Sequence, residues 1–318
     1  MLRLNSPQRE LGPTACVLGS FDGVHLGHQA LLRRAKEAAE KLNLKSAAVT
    51  FRQHPLSVLA PERMPELLST QDERAQRMEK LGMDALIELE FTPQLAQQEP
   101  EEFIRQLVHE FQMRVMVVGY NYTFGRHGRG DTELLKKMAV QMDFALHVVD
   151  PVEYLGEAVS SSRIRELLAQ GKTLDAGRLL GRPYALAGEI KKGKQLGRKL
   201  GFPTLNVDFP QEKATPSAGV YTGWIRFEGG CVPAVTNIGT NPTVENGPKI
   251  RLESHALEEI PLVYGDRAEV LFGEKLRDEQ RFGSVEELKK RVLQDREAAI
   301  RWSRLHSEES LKFGEFCP

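Results

Sequence analysis

The chain is expected to fold as an α/β protein: a parallel sheet covered by helices, followed by a small antiparallel β-barrel with a terminal helix. Three observations carry this expectation. Apolar strand-like runs alternate with helical spacings as far as Gly181-Arg182-Pro183. Beyond it, β-branched and aromatic segments follow one another closely, separated only by turn residues. A length of 318 residues, 41% hydrophobic and 27% charged, is enough for two cored domains. The change of rhythm assigns residues 1–182 to the first domain and 183–318 to the second.

The elements follow in order. Residues 15–18 form a first buried strand, and 26–42 a helix whose apolar Ala30, Leu31, Ala35, Ala38 and Leu42 share a face. Residues 46–51 are the next strand. A helix spans 71–81, with Ser69-x-x-Asp72 as its capping box and Gly82 as its stop. Strands at 84–91, 115–119 and 145–149 are separated by helices at 100–111 and 131–141. A short helix at 161–169 ends at Gly171. In the second domain, strands are expected at 184–190, 219–227, 232–238, 249–255 and 267–272. Gly229-Gly230, Asn241-Pro242 and Asn246-Gly247-Pro248 supply turns between them. A helix from 285 to 305, capped by Ser284-x-x-Glu287, closes the chain.

Charge and cysteine usage narrow the function. The formal net charge is −1, with 23 basic residues against 24 acidic up to Arg182 and 20 against 20 after it. Neither half carries the surplus of a dedicated nucleic-acid binder. Cys16, Cys231 and Cys317 lie far apart without a C-x-x-C pair, which suits reduced thiols. The N-terminus lacks the apolar run of a signal peptide, and no stretch of about 18 apolar residues spans a bilayer. A cytoplasmic enzyme acting on small molecules is expected, without nucleic-acid or membrane partners; its oligomeric state is not legible.

The most informative segment is Gly19-Ser20-Phe21-Asp22-Gly23-Val24-His25-Leu26-Gly27-His28, between the first strand and its helix. A strand-to-helix turn aims free backbone N–H groups at whatever lies above the sheet, which suits phosphate. His25 and His28, three apart at a helix start, share a side and stabilise charge developing on phosphorus. Gly27 keeps the approach between them open. Taken alone, such a pair is more often a capping coincidence, and the spacing does not suit zinc. Two further elements reinforce it. Val118–Gly130 follows a strand with glycines and three cationic or imidazole side chains, Arg126, His127 and Arg129. Ser160-Ser161-Ser162-Arg163-Ile164-Arg165 opens a helix, with Ser161 and Arg165 on one face.

This order resembles the nucleotidyltransferase superfamily with an H-x-G-H signature. More narrowly, residues 21–28 and 160–165 look like the adenylyltransferase module of the bacterial bifunctional riboflavin kinase/FMN adenylyltransferase (FAD synthetase) family. The first domain is then a Rossmann-like nucleotidyltransferase. The resemblance implies catalytic roles for His25 and His28, and nucleotide contacts at Gly19, Phe21, Asp22, Asn121, Ser161, Ser162 and Arg165. Thr50–Pro55 also matches, except that Gln53 stands where the family has proline; Tyr122 is a mild variant.

Downstream, five cations lie between Lys191 and Lys199 with no acid among them, ahead of Pro203-Thr204-Leu205-Asn206. Such a run is usually a solvated loop, and it is not a Walker A loop, although its glycines suit phosphates. Thr204 and Asn206 are two apart, so in an extended segment their oxygens point to one side and suit Mg²⁺ alongside nucleotide phosphates. The stretch resembles the riboflavin kinase signature, with further matches at 219–221, 237–243, Glu253-x-His255, Tyr264-Gly265 and 276–282. The resemblance implies Thr204 and Asn206 as Mg²⁺ ligands and Gly193, Lys194 and Arg198 as nucleotide contacts. It implies Glu253 as the base that takes the ribityl hydroxyl proton, and Asn237, Arg277 and Glu279 as flavin contacts. Leu262 stands where the family has an acid. The implied reactions convert riboflavin and ATP to FMN, and FMN and ATP to FAD and pyrophosphate. A relative adenylylating another substrate, a non-catalytic half that binds flavin, and an RNA-binding basic loop are the competing readings.

Overall fold

Strands buried on both faces read as unbroken apolar runs, and those of the first unit do. In the computed structural model, which describes residues 1–5, 11–193, 201–241 and 249–310, β1 (Leu2–Leu4), β2 (Thr14–Leu18), β3 (Lys45–Phe51), β4 (Ala85–Leu89), β5 (Met113–Gly119) and β6 (Ala145–Val149) make one parallel sheet. The strand order is β1-β4-β3-β2-β5-β6. Both faces are covered by helices. The helices of this unit are α1 (Leu26–Leu42), α2 (Leu56–Leu59), α3 (Gln71–Lys80), α4 (Pro93–Ala96), α5 (Pro100–Glu110) and α6 (Thr132–Met142). Leu32 and Ala35 of α1 and Met78 of α3 pack on one face with Val17 and Val115. Ile104 and Leu107 of α5 and Leu135 of α6 pack on the other with Cys16 and Met116. The chain runs outward from β2 in one direction through β3 and in the other through β5. That reversal opens a crevice beyond the strands' C-terminal ends.

Two local readings change. β1 pairs in parallel with β4 as an edge strand, and its three residues are too few to show a pattern. The capping box of α3 is Thr70 with Glu73, one residue later than expected, because the Ser69 hydroxyl is engaged elsewhere. Gly125 and Gly130 of the Val118–Gly130 segment are also packing positions. A Cβ at Gly125 would lie 2.7 Å from Pro100, and one at Gly130 2.6 Å from the Phe124 ring.

The contacts divide the chain between Ser161 and Ser162, ahead of the change of rhythm at Arg182. A two-residue ribbon, β7 (Glu153–Tyr154) with β8 (Glu157–Ala158), precedes the division. After it, α7 (Ser161–Ala169) and α8 (Thr173–Leu180) belong with the second unit: Ser217 N donates to Leu168 O at 3.0 Å, and Leu174 packs against Trp224, Leu271 and Trp302. β9 (Ala185–Lys191), β10 (Leu205–Asp208), β11 (Gly219–Phe227), β12 (Gly230–Asn241), β13 (Lys249–Ala256) and β14 (Arg267–Arg277) close an antiparallel barrel in the order β10-β13-β12-β11-β14-β9. The four residues of β10 were read only as an extended segment.

The terminal helix α9 (Val285–Ser310) covers the outer face of β11 and β14. Gly273 is required there, since a Cβ would lie 2.3 Å from the Trp302 ring. The Arg277 guanidinium then donates to Asp295 on α9 at 2.8 and 3.0 Å, with Asp295 only 4% exposed. Cys16 is free and buried, its thiol pushed up to about 12 by desolvation.

Removing one partner of a buried ion pair strands the other charge. Asp295→Ala is therefore expected to cost the second unit about 3–5 kcal/mol, read from denaturant unfolding monitored at Trp224 and Trp302.

Candidate active sites

The turn after β2 adopts a conformation that most side chains avoid. Phe21 and Val24 have φ of +53° and +42°, with Gly23 between them at +81°. Such non-glycine positions cost on the order of 1–3 kcal/mol each and persist only where their surroundings over-determine them. Here Phe21 and Val24 are buried in the core. The Asp22 carboxylate accepts from Leu68 N and Ser69 N, each at 3.0 Å, and from the Ser69 hydroxyl at 3.3 Å. Gly23 N donates back to Ser69 Oγ at 2.9 Å, and the Ser161 hydroxyl donates to the Asp22 carbonyl at 2.9 Å. Asp22 was expected to touch nucleotide; its carboxylate serves the turn.

The turn delivers two histidines. His25 caps α1, its Nδ1 accepting from His28 N at 3.3 Å, which leaves the neutral ring's proton on Nε2. The two imidazoles stack with centroids 3.6 Å apart, and the Phe21 ring meets His28 edge-on at 5.3 Å. A Cβ on Gly27 would press to 3.1 Å from His25 Cε1, so the glycine makes room for the ring pair. Desolvation, then His25, then Arg74 hold His28 well below the usual histidine range. His28 Nδ1 is buried and has no hydrogen-bond partner among the described residues.

Above the crevice lies a cavity of about 670 Å³. Gly19, His25, His28, Asn121 and Ser161 line it, as expected. Phe51, Phe91, Phe103, Tyr122 and Phe124 add an aromatic wall that the motifs did not reveal. Those aromatics sit on four separate segments, and only the sheet order brings them together. Ser162 and Arg165 follow on α7, in the second unit.

In the barrel, the ladder register does the assembling. Asn206 of β10 pairs with Glu253 of β13, which pairs with Asn237 of β12. Directly paired residues point to the same face, so the carboxylate lies between two carboxamides. Their neighbours Val207, Leu252 and Ile238 point into the core, so the row faces outward. Arg251 Nε lies 3.5 Å from Glu253 Oε1, and Arg251 Nη2 lies 4.0 Å from Glu279 Oε1. A Cβ at Gly239 would come within 2.5 Å of Glu279, so that glycine admits the carboxylate. Glu279 is thus joined to Glu253 through Arg251, a cation that no motif singles out. Arg277 is not brought to this group; it is occupied by Asp295. Thr204 stands just ahead of β10, where Pro203 O meets His255 Nδ1 at 2.8 Å. Gly193 lies against the Asn206 carboxamide: a Cβ there would be 2.3 Å from Nδ2. Lys194 and Arg198, and the turn at 242–248, lie outside the described residues.

A doubly wound sheet with imidazoles at its switch point, joined in one chain to a barrel of this kind, defines a two-unit enzyme of phosphate transfer. Comparison with known proteins agrees. The model of the FAD synthetase family matches residues 8–163 and that of riboflavin kinase 180–303. A bifunctional riboflavin kinase/FMN adenylyltransferase of Pseudomonas fluorescens is 38% identical over 89% of this chain and 90% of its own length. One from Escherichia coli K12 is 35% identical over 88% and 90%. A solved structure named as a macrolide-efflux protein from Streptococcus pneumoniae is 29% identical, with a TM-score of 0.87 over 95% of this chain and 100% of that one. The chain belongs to the bifunctional riboflavin kinase/FMN adenylyltransferase family. No helix among the described residues is long and apolar enough to cross a membrane.

The depressed pKa of His28 fixes a pH dependence. Its value in the fold lies below that in the unfolded chain, so the unfolded chain takes up the proton first. Stability is unaffected above about pH 6.5 and falls as the pH drops below it. His28→Asn is expected to flatten that decline, measured as melting temperature of the first unit between pH 8 and 5.

Proposed function

We propose that the cavity over the His25–His28 turn adenylylates FMN, and that the Asn206–Glu253–Asn237 face of the barrel phosphorylates riboflavin. These are the two reactions named for the family. The observation that carries the reading is the row Asn206, Glu253, Asn237 on one barrel face in a chain that also stacks His25 on His28. We assign residues 1–182 to adenylyl transfer and 183–318 to the kinase, in a cytoplasmic enzyme whose substrates are riboflavin, FMN and ATP.

At the first site the FMN phosphate attacks the α-phosphorus of ATP, and pyrophosphate leaves. The attacking phosphate is already a competent nucleophile, so a strong base is not required. The N-terminus of α1 and the imidazoles of His25 and His28 hold the triphosphate and offset charge developing on it. Gly19, Asn121 and Ser161 complete the nucleotide contacts of this cavity, while Phe21, buried in the core, and Asp22 act by holding the turn. The aromatic wall suits a flat isoalloxazine ring.

At the second site Glu253 accepts the proton of the ribityl 5′-hydroxyl as that oxygen attacks the γ-phosphorus, and ADP leaves. Asn237 and Glu279 orient the flavin; Arg277 supports them by anchoring α9. Gly193, Lys194 and Arg198 hold the ATP phosphates. The neutral oxygens of Thr204 and Asn206 are hard donors that would hold Mg²⁺. Gly193 carries no side chain and so leaves room for the Asn206 carboxamide. Bound Mg²⁺ neutralises phosphate charge during transfer.

Two substitutions separate the sites. His28→Ala is expected to abolish conversion of FMN to FAD while riboflavin phosphorylation continues. Glu253→Gln is expected to slow FMN formation by about 10²–10⁴-fold while supplied FMN still becomes FAD. Chromatography of flavins after incubation with MgATP reads both, and FAD formation at an undiminished rate in His28→Ala overturns the first assignment.

A further inference from the structure

Arg74 of α3 does not line the cavity, yet its guanidinium reaches two main-chain carbonyls that do. Nη1 donates to Ser20 O at 3.1 Å, and Nη2 donates to Phe51 O at 3.0 Å. Ser20 immediately precedes the strained turn that delivers the histidines, and Phe51 begins the aromatic wall. These carbonyls belong to the segments leaving neighbouring strands β2 and β3, where the ladder between them has ended. The Thr50 hydroxyl also donates to Ser20 O, at 3.2 Å.

The guanidinium is itself held in place. Nη2 lies 3.3 Å from Glu88 Oε1, a carboxylate 1% exposed on β4. Glu88 Oε2 in turn accepts from Arg3 Nε at 2.5 Å, and Arg3 Nη1 pairs with Asp72 at 2.7 Å. A chain of alternating charge therefore runs from the surface to the back of the cavity rim. A planar fork meets two carbonyls and a carboxylate at once; an ammonium is a point charge that cannot reproduce the geometry.

We propose that Arg74 is a positioning residue for adenylyl transfer, fastening the triphosphate turn at Ser20 to the aromatic wall at Phe51 from behind the cavity. This rests on the reading of the cavity as the adenylylation site. The groups around it are consistent with an electrostatic part as well: His28 faces His25 and Arg74, while Arg74 faces Glu88, Asp22 and Arg3.

The test uses the full chain, with riboflavin phosphorylation as an internal control. Arg74→Met is expected to lower kcat for FMN to FAD by about tenfold to a hundredfold, the cost of misplacing reacting groups by about an ångström, while phosphorylation stays within about twofold. Arg74→Lys should recover part of the loss. In the folded Arg74→Met protein, NMR titration should show the His28 imidazole protonating at higher pH than in the parent, because the facing cation is gone. If Arg74→Met does not fold, Arg74→Met/Glu88→Gln removes both charges and is judged by the same measures. A folded variant that adenylylates within about twofold of the parent overturns the proposal. His28→Ala run alongside separates the two failures: if it too retains FAD formation, the reading of the cavity has failed rather than the clamp.

Discussion

The first unit turns on the buried carboxylate of Asp22. Two left-handed non-glycine residues flank it, and a β-branched residue at φ +42° does not hold that conformation unaided. Three donors from Leu68 and Ser69 converge on the carboxylate, while Ser69 and Ser161 bind the main chain around it. Because the turn is over-determined, α1 starts at a fixed point, His25 becomes its cap, and Gly27 lets His28 stack behind. Strain, cap and ring pair form one device. Loss of the carboxylate would release the turn rather than a ligand contact, so an Asp22 variant that fails in adenylylation reports on geometry.

The barrel solves the equivalent problem by closure. An open sheet can slip, and a slip of one residue would present Leu252 or Ser254 where Glu253 stands. With β10 paired to both β9 and β13, the register is fixed from two sides. Glu253 then lies between Asn206 and Asn237 without any loop having to place it. Arg251 and Glu279 complete the group because Gly239 carries no side chain to keep them apart. On the far side of the barrel Gly273 plays a related part, admitting the Trp302 ring so that α9 and Asp295 reach Arg277. Arg277 and Glu279, two residues apart, thus serve different structures.

These two solutions explain what could be read from the sequence. Strand and helix positions followed from burial period and turn residues, so Gly219–Phe227 and Ala145–Val149 came out with their observed bounds. Elements of three or four residues, such as Leu2–Leu4 and Leu205–Asp208, are shorter than any period and were passed over as strands. The contacts divide the chain at Ser161, ahead of the change of rhythm: the pattern of α7 and α8 shows that they are helices, not which core they join. Site residues carried by compact motifs were legible. The aromatic wall, Arg251 and Arg74 were not, because each is brought to its place only by partners distant in sequence. Roles were less legible than positions: Asp22 and Arg277 sit inside recognisable motifs, yet both are spent on internal contacts.

The near-zero net charge takes on a physical meaning at the first site. Phosphate binding is often imagined as a cluster of lysines, but the described rim of this cavity relies on neutral rings at a helix start. The first turn of α1 carries no acidic residue to offset its dipole, which favours negative charge at that end. His28, held well below the usual histidine range by desolvation, His25 and Arg74, would offer a directed hydrogen bond instead of a full charge. Arg74, the nearby full cation, is balanced from behind by the buried Glu88. On the proposed reading, a site assembled this way would hold a triphosphate by geometry more than by net charge. That is why its positioning contacts, which reach back through Ser20 and Phe51, matter as much as the groups that would touch the nucleotide.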